Sequence, residues 1–160
     1  MQQALVELAK YAGSALLGSL TTIFIFVWKE RNNKRRESRE NYSEAIAAIQ
    51  EARDSSRVLI ASVDGSIQQV NGRYAHQELH HIIRKILKLR DTDIKSNMEI
   101  AEDLHDELYR HTGHIALEKS QNYLKRARAI ASEAKVANQA ASELLADMEK
   151  ITSRLSGKHN

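Results

Sequence analysis

Seven histidines are the first residues of this 160-residue sequence that could do chemistry. His76 and His80 stand four apart, His81 adjoins them, and His111 and His114 stand three apart. Two histidines on one helical face can bind zinc. The segment HQELH at 76–80, however, lacks the glutamate that follows the first histidine in the HExxH zinc arrangement. There is no cysteine and no tight aspartate cluster to complete a ligand set, so no metal site is expected. Asp103, Asp106 and Glu107 could pair as general acid and base, but they read more simply as a solvated acidic face. No P-loop, glycine-rich phosphate turn or G-x-S-x-G elbow is present. No catalytic residue, cofactor or enzymatic activity is expected.

Anion binding is better supported. Between 73 and 90 there are five Lys/Arg, three His and one acid, Glu78. Arg73, Arg84 and Lys88 offer cations to phosphates, His80 can donate or stack, and Tyr74 adds an aromatic ring. Lys119, Tyr123 and Arg126 repeat the theme, with Tyr123 as a surface for a base and Arg126 as a phosphate contact. Between 93 and 107 the balance inverts, with six acids and one lysine. The plainer reading of this contrast is two antiparallel neighbours attracting each other, each pair contributing modestly.

The elements that must position these groups begin with an uncharged run. Residues 11–28, YAGSALLGSLTTIFIFVW, hold no charged side chain. At about 1.5 Å per residue they cover roughly 27 Å, close to a bilayer core. Tyr11 and Trp28 stand at its ends, where interfacial aromatics belong. Lys29, Arg31, Lys34, Arg35, Arg36 and Arg39 follow at once. That bias predicts a membrane helix with its N-terminus outside and residues 41–160 in the cytoplasm. Ser14, Gly18 and Thr22 recur every four residues, a small-residue stripe that lets membrane helices pack closely.

The formal net charge is +3, which first suggests nucleic acid. The first forty residues carry seven basic and four acidic groups, so 17 of each sign remain beyond them. The cytosolic part is neutral in total, and duplex nucleic acid is not an expected partner. Two regions follow: 1–40, a membrane helix with a basic flank, and 41–160, a helical oligomerising and sensing domain. The absence of proline and the six glycines favour long helices.

Within 41–160 the membrane helix is expected to continue to about residue 57. Residues 58–72 stay open: Asp64-Gly65 between apolar flanks signals a short β-hairpin, while Ile60, Val63, Ile67 and Val70 keep a helical spacing. Helices are expected over 73–90 and 94–111, with DTD at 91–93 as a break between them. The last helix carries a stripe alternating by four and three: Ala116, Ser120, Tyr123, Ala127, Ile130, Ala134, Ala137, Ala141, Leu144, Met148, Ile151 and Leu155. About forty residues long, it should pair with the first helix, with its copies in other subunits, or with both. The fold class is therefore mainly α, a transmembrane helix plus a helical bundle or coiled coil.

One membrane segment at 11–28, the run KERNNKRR at 29–36 and the region RYAHQELHHIIRKILKLR at 73–90 form a layout. It resembles the small single-pass membrane effectors of type III CRISPR antiviral defence that sense cyclic oligoadenylate. The resemblance is one of architecture and carries no diagnostic motif. Sensor domains in that system are often Rossmann-like, and no βαβ pattern is present, so the sensor here would be helical. The resemblance implies that cyclic tetra-adenylate binds a cytosolic homo-oligomer, a tetramer being favoured, and thereby perturbs the lipid bilayer. Two other functions fit the same layout: a holin-like phage membrane protein, and a membrane-tethered coiled-coil scaffold that recruits a protein partner.

Overall fold

The computed structural model describes residues 2–70, 77–111, 113 and 115–156, with side chains from Gly18 onward. The described chain is helical almost throughout and contains no strand. Helix α1 spans Gln2–Val70, 69 residues and about 100 Å. Helix α2 spans Gln77–Leu89, a π-helical segment spans Arg90–Ile94, and α3 spans Lys95–Tyr109. Helix α4 spans Leu117–Ser156, 40 residues.

Two expectations are corrected here. No hairpin forms at Asp64-Gly65, because α1 stays helical through both residues to Val70. Val63 and Val70 are buried on one face while Ile67 packs beside them, so the helical spacing outweighs the local turn signal. Nor does DTD break the chain. Residues 77–109 run on without a gap through the π-helical turn. The basic α2 and the acidic α3 therefore lie end to end, and cannot attract each other as antiparallel neighbours.

The extra residue in that turn has a packing reason. Leu79 and Ile86 are seven apart and both buried; Ile94, Ala101 and Leu108 repeat the interval of seven. Between Ile86 and Ile94 the interval is eight. A π-turn takes up one residue, which keeps α2 and α3 presenting a single apolar face to the bundle.

The three long elements pack up-down-up. Ser38 bonds Ile115, Glu37 meets Gln121, Glu44 meets Arg128, and Ser55 meets Asn138. From Glu37/Gln121 through Glu44/Arg128 to Ser55/Asn138 both numbers rise together, so α1 and α4 are parallel. Against the middle element the partners of Arg57 and Asp64 are Glu102 and Arg90, a falling series, so α2–α3 is antiparallel to both. The core forms three layers. Ala45 and Ile49 pack with Leu104, Leu108, Tyr123 and Ala127. Ile94 packs with Ala137 and Ala141. Val63 and Val70 pack with Leu79, Ile86, Met148 and Ile151.

The α1–α4 seam is built from small residues. Ser38, Ala45, Ala52 and Ser56 of α1 are buried, as are Ser120, Ala127, Ala134, Ala137 and Ala141 of α4. The predicted stripe on α4 is thus the face that meets α1. Ala116 precedes the helix and is exposed, and Leu124 and Leu145 join the stripe. Small side chains at a heptad seam let the backbones approach closely.

Residues 18–37 of α1 are exposed, and Ser38 is the first buried side chain. The bundle is therefore carried at one end of a helix that projects beyond it. Among the described residues no helix is long and apolar enough to cross a membrane. Of the expected span at 11–28, the side chains of 11–17, Ser14 included, lie outside the described residues. Residues 18–28 are described, and Leu20, Ile23, Phe24, Ile25, Phe26, Val27 and Trp28 are all exposed.

Candidate functional site

Helix α2 is amphipathic because Leu79, Ile82, Ile83 and Ile86 recur at intervals of three and four and turn toward α1 and α4. Its cations fall on the opposite face. His80, Arg84 and Lys88 succeed one another at i, i+4, i+8 and are all exposed. His80, His81 and Arg84 line an open cleft of about 420 Å³ together with Gln77 and Glu78. Among the described residues, no carboxylate pairs with Arg84, Lys85 or Lys88. Arg73 and Tyr74 lie outside the described residues.

The second expected patch has a different character. Tyr123 is 3% exposed and packs edge-on against Tyr42. Its hydroxyl donates to Glu107 Oε1 at 3.0 Å and lies 2.6 Å from His111 Nε2. Lys119 Nζ reaches the same His111 nitrogen at 2.9 Å and stands 5.6 Å from the Tyr123 ring centre. Arg126 Nη1 donates to Glu107 Oε2 at 2.9 Å. The ring expected to stack on a base is thus enclosed in the core, and Arg126 is engaged by a carboxylate. Burial pushes the Glu107 carboxyl up, but the Arg126 guanidinium and the Tyr123 hydroxyl outweigh it and hold its pKa below the usual value. Burial, followed by the hydrogen bond to Glu107 and then its charge, raises the Tyr123 phenol.

The two patches do not meet within one chain. Tyr123 sits in the layer formed with Leu104 and Leu108, whereas α2 packs against Leu145, Met148 and Ile151. Along α4 that separation is roughly 35 Å. A parallel association of copies keeps the layers at their own heights, so it does not bring the patches together. No spacing rule links Glu107 and His111 with Tyr123, because their contact spans the connection before α4. Sequence periodicity registers Tyr123 only as a stripe position.

Among the described residues no group of three or more His, Cys, Asp or Glu is arranged to hold a metal ion. His76 and His114 lie outside them. In the exposed N-terminal stretch of α1, Thr22 Oγ1 donates back to Gly18 O at 2.8 Å, and Thr21 Oγ1 does so at 2.9 Å. A side chain at Gly18 would meet nothing within 4 Å. The stripe is therefore smooth at this point and open to a neighbour.

No protein-family model matches the chain, and no curated protein and no solved structure shows significant similarity to it.

Proposed function

We propose that the chain is a non-enzymatic, single-pass membrane effector. Its cytosolic three-helix bundle reads an anionic ligand and passes the change to the bilayer through one uninterrupted helix. The observation that carries this reading is the continuity of α1. The same helix holds the exposed apolar side chains at 20–28 and, after the basic turns, the buried face of the bundle. Ile23 to Trp28 sweep more than one full turn, so apolar groups point outward on every side. A helix that is apolar all round requires a non-aqueous surrounding. The basic run after Trp28 supports a topology with the N-terminus outside and the bundle in the cytoplasm.

The ligand surface is the α2 cleft, where His80, His81 and Arg84 face solvent with Lys88 one turn on. Cyclic oligoadenylate, implied by the resemblance above, is the first ligand to test. The smooth Gly18 and Thr22 surface supports self-association in the membrane. Ligand binding acts only through its different affinity for two arrangements of that oligomer.

The test is calorimetry and dye release with the full chain in vesicles and added cyclic tetra-adenylate. Binding and ligand-dependent release are expected, and Arg84→Glu should abolish both with helicity unchanged. Arg126→Glu should leave binding intact. Release that needs no ligand points to holin-like lysis. Absence of binding and of release, with a stoichiometric protein co-purifying, leaves a tethered scaffold and overturns the effector reading.

A further inference from the structure

The unassigned feature with the most chemistry lies where α1 leaves the apolar collar. Among the described residues, Arg31, Lys34 and Arg35 line an open cleft of about 470 Å³ together with Leu117, the first residue of α4. Spacings of three and four place the three cations on one face of α1. The start of α4 is held against that face by Ser38, whose buried hydroxyl donates to Ile115 O at 2.7 Å. Gln121 Nε2 adds a bond to Glu37 Oε1 at 3.3 Å. The cleft is therefore a product of the tertiary fold, made by two helices far apart in sequence.

Its charge is largely unspent. Lys34 pairs with Glu30 at 2.7 Å, a hydrogen bond that raises the pKa of its ammonium. Among the described residues, no carboxylate pairs with Arg31 or Arg35. Free guanidinium forks beside an ammonium match the oxygens of a phosphate. Height along α1 selects the kind of phosphate. Arg31 and Arg35 lie three and seven residues beyond Trp28, about 5–10 Å along the axis. If the collar sits in hydrocarbon, that is the depth of lipid headgroups. Leu117 supplies the apolar wall that a glycerol backbone needs and a free anion does not.

We propose that this cleft binds the phosphate of an anionic phospholipid headgroup, a proposal that rests on the membrane reading above. Diffuse attraction of the basic run to an anionic surface is the alternative. Lys29 and Arg36 separate the two, since both lie on the opposite face of α1, about 150° around the helix.

The experiment is native mass spectrometry of the full chain in detergent with phosphatidylglycerol, phosphatidylcholine or glycerol 3-phosphate added. Phosphatidylglycerol should be retained at least tenfold over phosphatidylcholine. Arg31→Gln with Arg35→Gln should remove the preference, whereas Lys29→Gln with Arg36→Gln, the same loss of charge, should keep it within about twofold. All four side chains are exposed, and Arg35→Gln alone gives the same direction if the double variant loses helicity. Equal loss in both double variants overturns the site in favour of diffuse charge. Retention of glycerol 3-phosphate as strong as that of the lipid overturns the lipid assignment. Flotation with neutral phosphatidylcholine vesicles isolates the underlying reading. A chain that floats but shows no lipid preference loses only this site. A chain that floats with no vesicle loses both.

Discussion

Tyr123 shows how one residue can satisfy a core pattern and a polar network together. Its ring fills the layer beneath α3, while its hydroxyl reaches Glu107 and His111. Tyr123→Phe keeps the ring and removes the hydroxyl, so it should cost about 1 kcal/mol in urea unfolding of the full chain. Asp91 provides a second test at this scale. Hydrogen bonds first from Arg90 and then from Lys95 hold its carboxyl down to about 2, from an ordinary value of 3.8. A depressed folded-state pKa contributes stability above 3.8 that disappears as the pH falls toward 2. Asp91→Asn should therefore flatten the loss of stability over that acid window, read as urea midpoints against pH. The Asp91 contacts are local, one with its chain neighbour and one at i, i+4, whereas the Tyr123 contacts are not legible in the sequence. Arg90 also bonds Asp64 across the bundle, a pairing that no local spacing announces.

At the scale of elements, the apolar stripes are what the sequence reveals. The stripe on α4 is readable because small and apolar residues alternate by four and three for forty residues with no glycine or proline. Polar breaks are less readable. DTD looks like a stop, yet it contains no residue that forbids helix, and buried Ile94 pulls the next turn into line. Asp64-Gly65 looks like a hairpin turn, but burial of Val63 and Val70 on one face decides for helix. The interval of eight between Ile86 and Ile94 is the trace of the π-turn. Deletion of exposed Thr92 should convert that turn to α-helix and leave the unfolding midpoint nearly unchanged. Deletion of exposed Asp103 turns the Leu104–Leu108 face away by about 100° and should lower the midpoint strongly.

At the scale of the whole molecule, α1 makes the collar and the bundle one rigid body in rotation about the helix axis. If signalling passes along it, phase matters. One alanine inserted between Lys29 and Glu30 turns the collar by about 100° relative to the bundle, whereas seven restore the phase to within about 20°. Ligand-dependent dye release should fail with one inserted residue and return with seven. The separation of the two basic patches belongs to this scale too. Charge counting along the chain treats 73–90 and 119–128 as equivalent. The up-down-up path puts them in different layers; in the second, Arg126 and Arg128 are held by Glu107 and Glu44, whereas among the described residues Arg84, Lys85 and Lys88 of the first meet no carboxylate.

The bundle makes an odd number of passes, and a hairpin or a four-helix bundle would bring the chain back to its starting level. As far as Ser156 it does not return. Leu155 packs beside Val70, about 60 Å along α1 from Trp28. The end of α4 thus stands off from the collar by the full height of the bundle, like the top of a stilt. If the collar lies in a bilayer as proposed, cargo attached at Ser156 would clear a crowded membrane surface, while a group attached at Gly113 would be held down against it.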